Sequence, residues 1–170
     1  MLHPLFYLTN LLLGVVLFSS QVMAELPVAE GKIILTVTGE IKHTNQAGRA
    51  EFDRHLLESL EQIEVTTHNP WFEGNNRYYG PLGRALIKAV GAEEATRMKI
   101  SSINGFIAEI PISDFIEYDV IFALKKNGQY QRIRDRGPIF TIYPFDQHPH
   151  LNTEMHYNRS VWQVKTIEFY

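Results

Sequence analysis

Hydrophobic positions along this 170-residue chain change period several times, and each period predicts an element. Lys32 to Thr38 (KIILTVT) is β-branched and apolar and is stopped by Gly39, which predicts a strand. Ile41 to Ala50 is polar, carries Gly48 and reads as a loop. Asp53 is placed to cap a short helix with Leu56, Leu57, Leu60 and Ile63 on one face. Glu64 to Thr67 predicts a short strand, and His68 to Gly80 (HNPWFEGNNRYYG) predicts a loop rich in Asn, Gly and aromatic residues. Pro81 suits the first turn of a helix and Gly91 the position just past its end. Between them Leu82, Ala85, Leu86, Ala89 and Val90 form the face to be buried.

The second half reads mainly as hairpins. Met98 to Ile103 and Phe106 to Ile110 are strands joined by Asn104-Gly105, and Pro111 stops the pairing. Ser113 is expected to cap a single helical turn through Phe115 and Ile116. Val120 to Leu124 and Gln129 to Ile133 are strands about the Asn127-Gly128 turn. Ile139 to Tyr143 is a buried strand, Asp146 to Asn158 a polar loop, and Val161 to Phe169 (VWQVKTIEF) a final alternating strand. Many strands with two or three short helices define an α+β class, with a mixed β-sheet or small barrel-like core.

Composition narrows the partners. The chain is 45% hydrophobic and 21% charged, which is ordinary for one globular domain that stands on its own core. A formal net charge of −3 without a basic stripe argues against nucleic acid as a partner. The absence of cysteine removes thiolate metal sites, thiol nucleophiles and disulfides together. Leu5 to Phe18 is almost wholly apolar and is followed by Ser19, Ser20 and Val22-Met23-Ala24, the pattern of an export signal with Glu25 as the first mature residue; the alternative, since no Lys or Arg precedes the apolar run, is an uncleaved anchor. The expected organisation is a signal peptide over 1–24 and one domain over 25–170, a periplasmic location, and no membrane span in the mature form.

No GxGxxG, P-loop or GxSxG pattern occurs. Three groups of residues carry candidate chemistry. His148, His150, Glu154 and His156 are close in sequence and of zinc- or copper-ligating type; the alternative is a solvated loop. Trp71, Phe72, Tyr78 and Tyr79 offer ring faces for a planar heterocycle, with Arg77 as an anion contact, or else pack over the core. In RDRGPIFTIYP, Arg134, Arg136 and the Gly137 N–H are placed to cradle a phosphate or carboxylate, and Asp135 between the arginines opposes this. Arg159-Ser160 is a second anion contact ahead of the last strand.

Taken in order, GPLGRALIKAVGA, SINGFIAEIPISDF, YDVIFALKKNGQYQRIRDRGPIFTIYP and RSVWQVKTIEF resemble the molybdopterin-binding domain of the sulfite oxidase family. The resemblance runs from about Gly39 to Phe169 and rests on the order and spacing of these pieces rather than on any one motif. It implies an α+β domain with a cleft over the sheet in which the family holds the molybdenum cofactor. In the family a cysteine ligates molybdenum in the region that is here Thr66-Thr67-His68-Asn69-Pro70, and His68 or Asn69 falls near that position. Arg159, Ser160 and Val161 match the family pattern, but Trp162 stands where a lysine holds the cofactor phosphate, and Phe140 most nearly where an arginine points at the cofactor. Arg136 matches a position where the family often has histidine, and Asn104 matches a hairpin Asp or Asn. Each lost charge-assisted contact to a buried phosphate costs about 1.5–3 kcal/mol.

The resemblance and its departures together imply a domain that has lost ordinary molybdenum catalysis and works as a ligand-binding or sensory module. No cofactor is expected, and the partner is a small anionic or heterocyclic ligand or a membrane-bound protein. His68, Asn69, Arg77, Tyr79, Asn104, Arg136, Arg159, Ser160 and Trp162 are the candidate site residues. The alternative is a molybdopterin-dependent oxidoreductase in which His68 or Asn69 replaces the thiolate.

Overall fold

The computed structural model describes residues 26–170, so the expected export signal lies outside the described residues. Among the described residues the architecture is α+β: eleven short strands in three sheets, with four short α-helices. Among the described residues no helix is long and apolar enough to cross a membrane.

The largest sheet has β11 (Val164–Phe169) at its centre. On one side lie β1 (Leu35–Gly39), parallel to it, and β2 (Ala50–Phe52); on the other lie β5 (Arg97–Ser102) and β6 (Ile107–Pro111). Alternation explains which face is buried. Leu35 and Val37, and Met98 and Ile100, point into the core while their neighbours stay half-exposed. In β11 the apolar positions Val164 and Ile167 are three apart, which breaks the period of two. The register shifts between Val164 and Thr166, and this bulge lets both reach the core.

Helix α1 (Arg54–Ser59) starts where expected: the Asp53 carboxylate accepts the Leu56 N–H at 2.8 Å. The same carboxylate accepts the Gly31 N–H at 2.7 Å and the Glu30 N–H at 3.1 Å, so the cap also pins the strand leading into β1. Helix α2 (Gly83–Val90) ends on Gly91 in the left-handed region (φ 67°). It buries Leu86, Ile87 and Val90 against the large sheet; Ile87, not Ala89, completes the face. Pro81 is not in this helix. It is the last residue of a strand, and Leu82 is the N-cap.

Four further expectations are corrected. The stretch HNPWFEGNNRYYG is no loop: Phe72–Pro81 is strand β4, paired antiparallel with β3 (Gln62–Asn69). Its buried positions, Asn76, Tyr78 and Gly80, keep a period of two that the polar composition obscured. Asn76 is satisfied inside by donating to the Glu73 and Gly74 carbonyls. The segment expected as a polar loop contains α4 (Glu154–Arg159), started by Thr153, whose hydroxyl accepts the His156 N–H, with Glu154 in its first turn. Ser113 does not cap α3 (Ser113–Glu117); the N-cap is Ile112. The return strand after Asn127-Gly128 is only β9 (Gln129–Tyr130), paired with β8 (Lys125–Lys126), and gives way to a 3-10 turn over Ile133–Asp135.

Strands β3, β4, β8 and β9 form the second sheet, and β7 (Ile121–Ala123) with β10 (Phe140–Ile142) the third. These two close on a second core of Val65, Tyr78, Leu82, Ile121, Ala123, Phe140 and Ile142. Gly80 permits that closure: a Cβ there would lie 2.2 Å from the Phe122 carbonyl oxygen.

The Asp53 cap yields a prediction with a pH signature. Its amide donors, Leu56 first, hold the carboxyl below its ordinary value. A folded-state pKa below the unfolded one adds stability above about pH 4, and that contribution is lost as pH falls through the folded value. In Asp53→Asn the amide oxygen still caps Leu56, but the NH2 replaces the oxygen that accepts the Gly31 and Glu30 N–H groups, so urea denaturation at pH 7 should show a loss of about 1 kcal/mol. The substitution should also flatten the loss of stability seen in the wild-type protein below about pH 4.

Candidate functional site

Period-two alternation along β4 decides which candidate residues meet. Tyr78 points into the second core, whereas Arg77 and Tyr79 point out of the opposite face. Tyr79 there shares Lys125 with Tyr130, the lysine Nζ lying 5.5 Å and 4.6 Å from the two ring centres. Arg77 and Tyr79 are therefore separated from the inward aromatics with which the sequence grouped them.

On the inward side Trp71, Phe140 and Trp162 pack edge-on, with Trp71 5.5 Å from Phe140 and 5.4 Å from Trp162. Trp162 is held by a bridge to Phe140, so the two aromatics sit side by side. The Arg136 guanidinium lies 4.3 Å over the Trp162 ring and 5.5 Å from Phe72, and the Lys126 ammonium lies 3.2 Å over Phe72. Among the described residues neither cation pairs with a carboxylate within 4.0 Å. Burial pushes the Lys126 ammonium below its ordinary pKa; Asp135 opposes that and Arg136 adds to it. Burial lowers Arg136 as well.

Beside Phe72 and Lys126 opens a cleft of about 440 Å³, further lined by Gln129, Tyr130, Gln131, Arg132 and Asp135, whose carboxylate is held by Arg132. Gln131 is buried, donates to the Ala123 carbonyl at 2.9 Å, and leaves its Oε1 without a partner. Lys126 and Gln131 were missed in the sequence. KKNGQYQ announces only a hairpin turn, and nothing local says that Phe72, over fifty residues earlier, lies beneath Lys126.

The arginine cradle expected in RDRGPIFTIYP does not form. The Gly137 N–H donates to the Arg132 carbonyl at 2.8 Å, Arg134 extends into solvent, and Asp135 pairs with Arg132 at 2.6 Å. Only Arg136, in the left-handed region (φ 71°), turns back onto the aromatics.

Arg159 is an internal strut. It donates to Asp114 at 2.9 Å, with side chains 19% and 9% exposed, and the Tyr143 hydroxyl donates to the same oxygen at 2.7 Å. Burial, with Asp114 next, holds the Tyr143 hydroxyl protonated far above its ordinary range. Ser160 is buried and donates to the His156 carbonyl. Asn104 shapes the β5–β6 turn by accepting the Phe106 N–H at 3.1 Å, away from the cleft.

His68 is bonded through both its backbone N–H and its ring Nδ1 to Asp146. Asn69 is buried, donates to the Tyr78 hydroxyl at 2.7 Å and accepts the Trp71 N–H. The histidine-rich segment is divided. His148 and His150 stand around Tyr118, whereas His156 is buried against Tyr143 and engaged with Thr153, its pKa lowered chiefly by burial. Among the described residues no three His, Asp or Glu side chains gather as metal ligands.

No protein-family model matches this chain, and no curated protein matches it.

The strut separates structure from binding. Arg159→Ala leaves Asp114 buried without its cation and should cost about 3–5 kcal/mol in chemical denaturation. A change of Arg159 to Lys, which keeps the charge, should recover part of that loss.

Proposed function

We propose that this chain is an exported, periplasmic domain of the sulfite-oxidase type that has lost standard molybdenum catalysis and binds a small anionic or heterocyclic ligand. The order of elements about Gly91, Asn104-Gly105, Asn127-Gly128 and the Arg159-Ser160-Val161 step supports the family reading. The residues do not fit the molybdenum cofactor. No thiolate exists in the chain, Asn69 is committed to Tyr78 and Trp71, and His68 offers a single imidazole already held at Nδ1 by Asp146. Phe140 and Trp162, with Trp71 packed between them, bring ring surface where the family presents cations.

One observation carries the ligand reading. Lys126 and Arg136 both lie over Phe72, both lose hydration, and neither has a carboxylate partner among the described residues. Two cations outside any ion pair among the described residues, beside aromatic faces and next to a cleft of about 440 Å³ whose one carboxylate, Asp135, is held by Arg132, suit an anion that carries a planar group. Tyr130 and Phe72 supply the walls, and Gln129 and Gln131 amides for orientation.

The test is calorimetric titration with nucleoside monophosphates and with heteroaromatic carboxylates as probes. Saturable binding that falls at least about tenfold in Lys126→Ala and in Arg136→Ala is expected, one charge-assisted contact being lost in each. Binding unchanged by both substitutions overturns the site.

A further inference from the structure

One end of the molecule combines exposed apolar side chains with cations. Ile103, Phe106, Ile107, Ile133 and Met155 are each 46% to 56% exposed. They form one neighbourhood because Gln163 ties two loops together. Its carbonyl accepts the Ile103 N–H at 2.9 Å, its N–H donates to the Arg136 carbonyl at 3.0 Å, and its side-chain amide donates to the Ile133 carbonyl at 2.8 Å. A small crevice lined by Phe106, Trp71 and Trp162 links this apolar tip to the aromatic stack under Arg136. A shallower groove continues from Phe106 and Ile107 to Met155 on α4.

Charge at this end runs against the whole. The chain carries a net −3, yet among the described residues Lys126, Arg134 and Arg136 have no close carboxylate partner here other than Asp135, which Arg132 already holds. Glu109 on β6 is turned to Arg97. Apolar tips flanked by cations, with tryptophans between them, are the arrangement that settles at a lipid–water boundary: the chains enter the acyl edge and the cations meet the headgroups.

We propose that the β5–β6 tip and the Ile133–Arg136 turn form a docking surface for an anionic bilayer. The surface shares Lys126 and Arg136 with the small-ligand site, but its apolar anchors Ile103 and Ile133 line neither the cleft nor the cation pair, so variants there separate the two readings.

Tryptophan fluorescence tests it directly, since Trp71 and Trp162 are the only tryptophans in the chain and both belong to this surface. Protein beginning at Glu25, the mature form of the proposed exported domain, is mixed with vesicles of brominated phosphatidylcholine, with or without phosphatidylglycerol. Quenching should be stronger on the anionic vesicles and should weaken as salt rises. The double variant R134E/R136E should abolish the anionic preference, and I103D/I133D should reduce partition about tenfold or more while soluble-anion affinity stays unchanged. Absent quenching, equal quenching on both compositions, or quenching unaffected by both double variants overturns the proposal. Loss of soluble-anion binding with vesicle quenching intact would instead remove only the small-ligand reading.

Discussion

The second core and its site depend on a short backbone ladder between Ile139–Thr141 and Val161–Val164. The Thr141 N–H donates to the Val161 carbonyl at 2.8 Å, and the Val164 N–H donates to the Ile139 carbonyl at 3.0 Å. Between these bonds Phe140 faces Trp162. The segment then bulges and becomes β11, the central strand of the large sheet. One stretch of chain thus serves both cores, and its geometry fixes where Trp162 stands. Gln163, in the left-handed region (φ 54°), is the residue at which the chain changes direction.

From that fixed tryptophan the rest of the site follows by contact. Trp71 at the β3–β4 turn packs on its edge, Arg136 lies over its face, and Phe72 brings Lys126 into the same group. Each partner comes from a different element, so the arrangement is set by tertiary packing and not by any local motif. The Asp114–Arg159–Tyr143 cluster plays the corresponding part in the first core, joining α3, α4 and the end of β10 through one carboxylate. Its polar groups answer one another inside, which is the condition for placing charge there at all.

Local chemistry in the sequence reached the hairpin turns, the Asp53 cap, the Gly91 stop and the alternation of β1 and β5, because a few adjacent residues determine each. It failed for β4, where Asn and Gly suggest a loop until β3 on one side and β8 on the other pair with it. It failed again at α4, where the histidines of Pro149 to His156 distracted from the Thr153-Glu154 helix start. Of the site, Trp162, Arg136 and the aromatics of HNPWFEGNNRYYG were legible as residue types with suitable chemistry. Which of them met was not, since that depends on strand phase: Arg77 and Tyr79 sit one position away from Tyr78 and so face the other way. Lys126 left no local trace, because its role exists only through Phe72.

The parallel pairing of β1 with β11 has a consequence for how the molecule comes into being. Thr36 lies opposite Thr166, so the middle of the large sheet joins segments separated by nearly the whole described chain. Closing so long a loop carries an entropic penalty before any contact rewards it, and folding rates fall as such non-local pairings dominate. On the ribosome, β1 and β2 emerge beside a gap that only the eleventh strand fills, while β5 and β6 wait for the same strand from the other side. The large sheet is therefore completed only once β11 has been made, and until then its edges stand open to whatever holds nascent chains apart.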